Sequence, residues 1–139
     1  MLLLDTHAWI WAVAGDAQRL GRRARQALAR ADADGALRIS PASLFEIVAL
    51  CTLGRLRLSQ PPDQWIRESI DASGVRLAEL TAAVAIDAGY IPRAALPDPL
   101  DRLLVSTARQ MDATLLTADA AILSYARQTR TVRVRDAAR

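Results

Sequence analysis

Short apolar runs alternate along this chain with longer segments of helical pattern, and this alternation most constrains the fold. The strand candidates are residues 2–4, 37–39, 75–77, 114–117 and 132–134. Helices are predicted at about residues 7–14, 19–32, 41–53, 61–72, 81–90, 99–111 and 119–125. Strands that alternate with helices favour a parallel sheet covered on both faces. We therefore predict a single α/β domain over residues 1–139, a three-layer α/β/α sandwich with a short, mainly parallel central sheet.

The stretch LPDPLDRLL, residues 96–104, is typical of a helix start that carries two acids. Asp98 is a preferred N-cap, Pro99 suits the first helical position, and Asp101 falls where a carboxylate favours the helix dipole. Capping alone, worth about 1 kcal/mol, would explain both acids. The question is whether Asp101 also belongs to a charged site.

Three further acids are candidates for one edge of the predicted sheet. Asp5 follows the first strand directly, Asp119 lies just past Thr117, and the carboxyl ends of parallel strands form the usual site in such folds. Glu46 is the one charge in SLFEIVALCTL, a helix so apolar that we expect it to be largely buried. Helix capping by the aspartates, and a solvent-facing strip or an arginine pair for Glu46, are the alternatives.

Four carboxylates gathered at that edge would have to protonate in part or bind cations. At about 5 Å spacing their six repulsions, near 3 kcal/mol each at an effective dielectric of 20, sum to roughly 20 kcal/mol. That exceeds the roughly 5–15 kcal/mol that keeps a domain folded. A set of hard oxygen ligands points to Mg²⁺ or Mn²⁺ and not to zinc.

Missing residue types exclude several other chemistries. All 18 basic residues are arginine, so a P-loop lysine and a Schiff-base lysine are both excluded. The single histidine, His7, has no nucleophile motif nearby, and the single cysteine, Cys51, cannot form an internal disulfide. The lone cysteine and the lack of an apolar stretch of about 20 residues lead us to expect a cytoplasmic protein outside the membrane.

The net charge of +3 is compatible with an acidic partner such as RNA. Arg22 and Arg23 lie on the polar face of the predicted second helix, and Arg102 follows Asp101. These three arginines are candidates for phosphate contacts, since the guanidinium fork suits phosphate. A solvated helix face remains the alternative for Arg22 and Arg23.

Four ordered motifs, LLLDTHAWIW, SLFEI, DPLDRLLVSTA and ATLLTAD, resemble the PIN domain, and specifically VapC-type toxins. The resemblance covers nearly the whole chain. It implies that Asp5, Glu46, Asp101 and Asp119 form a catalytic, metal-binding nuclease site, with Asp98 as an auxiliary acid. The loop AALPDP departs from the His-Arg or His-Gly that many relatives carry before this Asp-Pro.

The resemblance also implies an activity and partners. The chain would be a Mg²⁺-dependent (or Mn²⁺-dependent) ribonuclease leaving 5′-phosphate and 3′-hydroxyl ends. It would act as a homodimeric toxin of a type II toxin–antitoxin pair, inhibited by a VapB-type antitoxin. Thr6, Ser43 and Thr117 are candidates to orient carboxylates or waters, with local capping as the alternative. Two other functions stay open: a non-catalytic PIN-like module that binds RNA or protein, and a phosphatase, which the missing lysine disfavours.

Overall fold

The chain forms a five-stranded parallel sheet with the strand order β3-β2-β1-β4-β5. The computed structural model describes residues 1–139, apart from the side chain of residue 17. The strands are β1 (Leu2–Leu4), β2 (Leu37–Ile39), β3 (Arg76–Leu77), β4 (Thr114–Thr117) and β5 (Arg133–Asp136). The helices are α1 (Thr6–Val13), α2 (Arg22–Ala33), α3 (Pro41–Thr52), α4 (Pro62–Ser73), α5 (Ala82–Tyr90), α6 (Pro99–Gln110) and α7 (Ala120–Thr129).

Helices cover both faces of the sheet, because consecutive strand residues point to opposite sides. Leu2 and Leu4 of β1 pack into a cluster with the buried residues of α1, α2, α3 and α4. Leu3 packs into a second cluster, whose other members come mainly from α6, β4 and α7. The predicted α/β/α sandwich is therefore confirmed. Among the described residues, no helix is both long enough and apolar enough to traverse a bilayer.

Most helix starts follow the capping signals of the sequence. Ser40 accepts a hydrogen bond from Ala42 N–H to cap α3, and Asp98 caps α6 through Leu100 N–H. Proline occupies the first position of both helices. These local preferences mark where the helices begin, independently of tertiary packing.

Three details differ from the predictions. The second helix begins at Arg22, because a separate 3₁₀ turn ends at Arg19. Helix α7 continues beyond Tyr125 to Thr129 and stops where Arg130 adopts φ 54°. The prediction that α3 is largely buried is wrong, since one side leaves Phe45 67% exposed.

The topology places the carboxyl-terminal edge of the sheet, where a site is predicted, at a switch point. From β1 the chain runs outward to β2 and β3, and then crosses to β4 and β5 on the other side of β1. The carboxyl ends of β1 and β4 therefore flank the crevice where open α/β sheets bind ligands. Asp5 follows β1 there, and its N–H donates to Leu116 O at 2.9 Å.

Gly21, the N-cap of α2, lies against the backbone of Arg139. Gly21 N–H donates to Ala137 O at 2.9 Å and Ala24 N–H donates to Arg139 O at 2.8 Å, so the last residues cap this helix. A Cβ on Gly21 would lie 2.0 Å from the carbonyl carbon of Arg139. We expect Gly21→Ala to lower the free energy of unfolding by about 1–3 kcal/mol, because the last residues must move away.

Urea denaturation would measure this loss. Gly89→Ala is the matched control: Gly89 lies within α5 and a Cβ there meets nothing within 4 Å. This control should raise stability by up to about 1 kcal/mol, because alanine favours helix over glycine. If Gly21→Ala were as stable as the wild type, the close contact between Gly21 and the backbone of Arg139 would be contradicted.

Candidate active site

Five carboxylates line one pocket at the carboxyl ends of β1 and β4. The cavity has a volume of about 430 Å³. Its lining residues are Asp5, His7, Trp11, Glu46, Asp98, Asp101, Ala118 and Asp119. The structure thus brings together all four acids predicted for the site, together with the auxiliary acid. They come from four separate places in the sequence, since Asp98 and Asp101 share one helix start, and the switch point of the sheet brings them together.

Asp5 is the most buried acid of the pocket. Its side chain is held on both oxygens: Oδ1 accepts a hydrogen bond from Thr6 N–H at 2.6 Å, and Oδ2 accepts one from Thr117 Oγ1 at 2.5 Å. Burial raises the pKa of Asp5 above its ordinary value, although these two hydrogen bonds oppose the rise. Asp5 is therefore a rigid, electrostatically disfavoured anion.

Thr117, at the end of β4, connects two of the acids. While its hydroxyl donates to Asp5, its Oγ1 accepts a hydrogen bond from Asp119 N–H at 3.0 Å. Thr117 is fully buried, so these contacts are shielded from water. Of the three hydroxyls predicted to orient the site, Thr117 is the one the structure places in direct contact with an acid.

Asp98 and Asp119 both cap helices while they line the pocket. Asp98 Oδ1 accepts from Leu100 N–H at 2.9 Å, and Asp119 Oδ1 accepts from Ile122 N–H at 2.9 Å. The capping interpretation is thus correct for both acids. Capping and a place in the pocket are compatible, because each cap engages only one carboxylate oxygen.

Asp101 lies in the first turn of α6, but Asp98 provides the capping bond of that helix. Burial raises the pKa of Asp101 from 3.8 to about 7, and the surrounding acids Asp119, Asp98, Asp5 and Glu46 add to the rise. Asp101 therefore holds a proton more strongly than an ordinary carboxylic acid. Burial and the neighbouring negative charges therefore both favour the protonated form of Asp101.

Glu46 reaches the pocket from α3 and is half-buried. Burial raises its pKa, and the charges of Asp5 and Asp98 raise it further. The Thr6 hydroxyl partly opposes this rise in the pKa of Glu46. The Thr6 hydroxyl is thus close enough to affect Glu46, but neither Thr6 Oγ1 nor Ser43 Oγ, both buried, makes a hydrogen bond of standard geometry within the described residues. Their predicted roles as orienting groups remain predictions.

The pocket is chemically suited to a hard divalent cation. It presents carboxylate oxygens, and none of the ion pairs found among the described residues neutralises them. The described residues contain no group of three or more His, Cys, Asp or Glu side chains already closed to metal-binding distance. Binding of an ion would therefore require these side chains to move closer together. The residues fit Mg²⁺ or Mn²⁺ by charge and by donor type.

The pocket is also lined by two ring side chains, His7 and Trp11, which were not among the acids and hydroxyls predicted for the site. His7 is exposed and lies beside Trp11, with 6.1 Å between ring centroids. Trp9, two residues before Trp11, is buried against Trp65 of α4. Trp9 and Trp11 are two residues apart on one helix, so a single core face cannot bury both indoles, but the sequence does not show which of them the core takes.

The arginines predicted to contact RNA lie outside this pocket. Arg22 and Arg23 are exposed at the start of α2. Arg102 is partly buried beside Asp101, and its Nε has no partner within the described part of the chain. Their roles stay predictions.

A polar cluster that sequence analysis missed fixes α6 against its neighbours. Asp87 of α5 accepts hydrogen bonds from Ser106 Oγ and from Arg109 Nε and Nη2, while Arg109 Nη1 donates to Tyr125 Oη. Burial would raise the pKa of Asp87, but the bonds from Ser106 and Arg109 hold it below its ordinary value. The sequence carries one indication of this cluster, because Asp87 is the one charged residue of α5.

Comparisons with known proteins agree with the geometry. The model of the PIN domain family matches residues 2–128. Ribonuclease VapC22 of Mycobacterium tuberculosis (strain ATCC 25618 / H37Rv) is 35% identical over 124 residues, which cover 89% of this chain and 91% of that relative.

Among solved structures, the chain is similar to one in the crystal structure of VapBC2 from Rickettsia felis bound to a DNA fragment from their promoter. The TM-score is 0.67, at 16% identity, with 97% of each chain covered. At that identity the likeness establishes the fold.

Proposed function

Since the chain belongs to the PIN domain family as a VapC-type nuclease, we propose that it hydrolyses RNA phosphodiester bonds at the acidic pocket. One observation carries this proposal: Asp5, Glu46, Asp101 and Asp119 line one pocket in which the pKa of Asp101 rises to about 7. A structural cluster of acids would be expected to pair with arginines, which are plentiful in this chain. A pocket that keeps its negative charge is typical of a cation site.

The proposed metal ligands are Asp5, Glu46, Asp101 and Asp119, with Asp98 at most an auxiliary ligand. A bound Mg²⁺ or Mn²⁺ would supply Lewis acidity and lower the pKa of a coordinated water. Asp5, held by Thr6 N–H and Thr117 Oγ1, provides the fixed point of the site. Glu46, on a longer side chain, adjusts its position to the ion and the substrate.

The raised pKa of Asp101 bears on how an ion would enter the pocket. With its pKa near 7 in the metal-free pocket, Asp101 is partly protonated at neutral pH, and binding of a cation would displace that proton. By the family resemblance, attack on phosphorus would leave a 5′-phosphate and a 3′-hydroxyl. Arg102 follows Asp101 and is a candidate to contact the RNA backbone.

We further propose that the protein is the toxin of a type II pair, a homodimer held inactive by a VapB-type antitoxin. VapC22, at 35% identity, is named a ribonuclease, and the chain with a similar fold comes from a structure of VapBC2 bound to DNA from their promoter. Two largely apolar grooves support a protein partner: about 490 Å³ between α1, α2 and α4, and about 610 Å³ between α3 and α4. Exposed apolar side chains, among them Leu77, Leu80, Ile86 and Tyr90, support a contact between copies.

The test is cleavage of RNA by the purified protein with Mg²⁺, with Mn²⁺, or with chelator. We expect cleavage with either ion and none with chelator, and end-mapping should find 5′-phosphates. Addition of the antitoxin encoded beside it should abolish cleavage and form a stable complex on size exclusion. Tight RNA binding without cleavage under every metal condition would overturn the nuclease and favour the non-catalytic module.

A further inference from the structure

Three side chains form a rim at one side of the acidic pocket. His7 and Trp11 line the pocket itself, with their rings tilted by 50°. Arg19 places its guanidinium carbon 5.9 Å from the centroid of the Trp11 ring, and Asp16 holds Arg19 through a 2.7 Å ion pair. We call His7, Trp11 and Arg19 the aromatic rim.

The position of Trp11 is not explained by core packing. Trp9 and Trp65 are buried against each other in an edge-to-face contact, which accounts for the core side of α1. Trp11 is partly buried and packs against that core along one part of its indole. The remainder lines a pocket of carboxylates, where an indole gains little from burial. A rigid aromatic ring beside a polar pocket is typical of a surface that stacks on a ligand.

An acidic pocket also repels the phosphates of an RNA strand, so the strand needs attachment of another kind. Base stacking on an aromatic ring provides it, because every base has an aromatic face and stacking carries no charge. Only unpaired bases can do this, since bases within a duplex are already stacked.

We propose that the aromatic rim is a subsite for one unpaired nucleotide next to the scissile phosphate. The base stacks on Trp11, flanked by His7, and Arg19 contacts an adjacent phosphate. The Arg19 and Asp16 side chains are 63% and 36% exposed, so Arg19 can leave the ring when a base takes its place. The inference rests on the proposed function, because it assigns the substrate contact of the same pocket.

The experiment measures binding of a short unstructured RNA oligonucleotide by the Asp101→Asn protein, which keeps the substrate intact. Because Trp9 and Trp65 are buried, quenching of tryptophan fluorescence on binding reports mainly on Trp11. We expect Trp11→Leu to remove the quenching and to raise Kd by about 5- to 100-fold. Trp11→Phe should keep most of the affinity. Leu53→Ala, at a 66% exposed apolar residue outside the pocket, is the control and should change neither quantity.

Two further measurements separate stacking from a loss of structure. Abasic substitution at each position of the RNA in turn should identify one nucleotide. Its base should contribute to binding by the parent Asp101→Asn protein but not to binding by the protein that also carries Trp11→Leu. Arg19→Gln should lower the salt dependence of binding by about 0.7 in log–log slope. Arg133→Gln, which removes a similarly exposed arginine paired with Asp112, should leave that slope unchanged.

The outcomes distinguish this inference from the proposed function. Binding of Trp11→Leu equal to the parent, with RNA cleavage by wild type intact, would overturn the subsite alone. Equal affinity for the duplex form of the oligonucleotide would overturn it as well. Trp11-dependent binding without cleavage by wild type would support the subsite and contradict the nuclease. Absence of both binding and cleavage would overturn both.

Discussion

Asp101→Asn is expected to abolish RNA cleavage and, at the same time, to stabilise the metal-free protein. Asparagine has nearly the shape of aspartate but removes one negative charge from a pocket of five carboxylates. The loss of a metal ligand should lower the cleavage rate by about 10³-fold, or about 4 kcal/mol of transition-state stabilisation. In the absence of metal, the same change relieves repulsion from Asp119, Asp98, Asp5 and Glu46.

The stability difference depends on pH in a defined direction. The pKa of Asp101 is about 7 in the folded protein and 3.8 without the fold, so the folded chain binds this proton more tightly. The free energy of unfolding of the wild type should therefore fall as pH rises from about 4 to about 7, and level off above. Because Asp101 is partly exposed, solvent screening reduces the effect to about 1–2 kcal/mol.

Urea denaturation of both proteins in chelator, across that pH range, measures the effect. Mg²⁺ should stabilise the wild type more than the variant, since binding to the folded state adds to stability. Asp63→Asn is the matched control, an exposed acid in the first turn of α4. It should leave cleavage unchanged. Normal cleavage by a folded Asp101→Asn protein would refute its proposed role.

Thr117→Val is expected to impair both stability and cleavage. Valine has the shape of threonine but cannot donate to Asp5 Oδ2 or accept from Asp119 N–H. Two polar groups in a buried setting would lose their partner, at a cost of about 2–4 kcal/mol. Without the hydroxyl, the pKa of Asp5 should rise further. The loss of orientation should lower cleavage by about 10- to 100-fold.

Two controls separate orientation of the site from general packing. Thr117→Ser keeps the hydroxyl and should retain most of the cleavage activity. Thr107→Val changes an equally buried threonine whose hydroxyl donates only to Leu103 O of its own helix. It should cost little in either property. Equal losses for Thr117→Val and Thr117→Ser would show that the methyl packing, and not the hydroxyl, matters.

The fold was predictable from sequence largely because its signals are local. Ser40-Pro41 and Asp98-Pro99 each place a cap before a proline, which marks the helix start in any context. The far end of α7 was not predictable, since Arg130 in a left-handed conformation ends it without a glycine. The exposed side of α3 was also missed, because hydropathy does not distinguish a residue of the core from one on an apolar surface.

The residues of the site likewise separate into those that the sequence could place and those that it could not. Asp5 and Asp119 could be placed together because each follows a strand, and parallel strands end at one edge. Trp11 could not, because its position depends on how α1 packs against α4 through Trp9 and Trp65. Asp87 and Arg109 are 22 positions apart in sequence and pair across α5 and α6, and no spacing rule predicts such a contact.

The capping bonds of Asp98 and Asp119 have a consequence for how quickly the pocket can change. Each bond uses Oδ1 and fixes the backbone at a helix start, so Oδ2 can turn only a little about a fixed base. Glu46 has more rotatable bonds and no such anchor at its carboxylate. Adjustment of the pocket therefore falls to side-chain rotation, which takes picoseconds to nanoseconds, and not to loop opening in microseconds or longer. Exchange of ions and release of product need not wait for the fold to move.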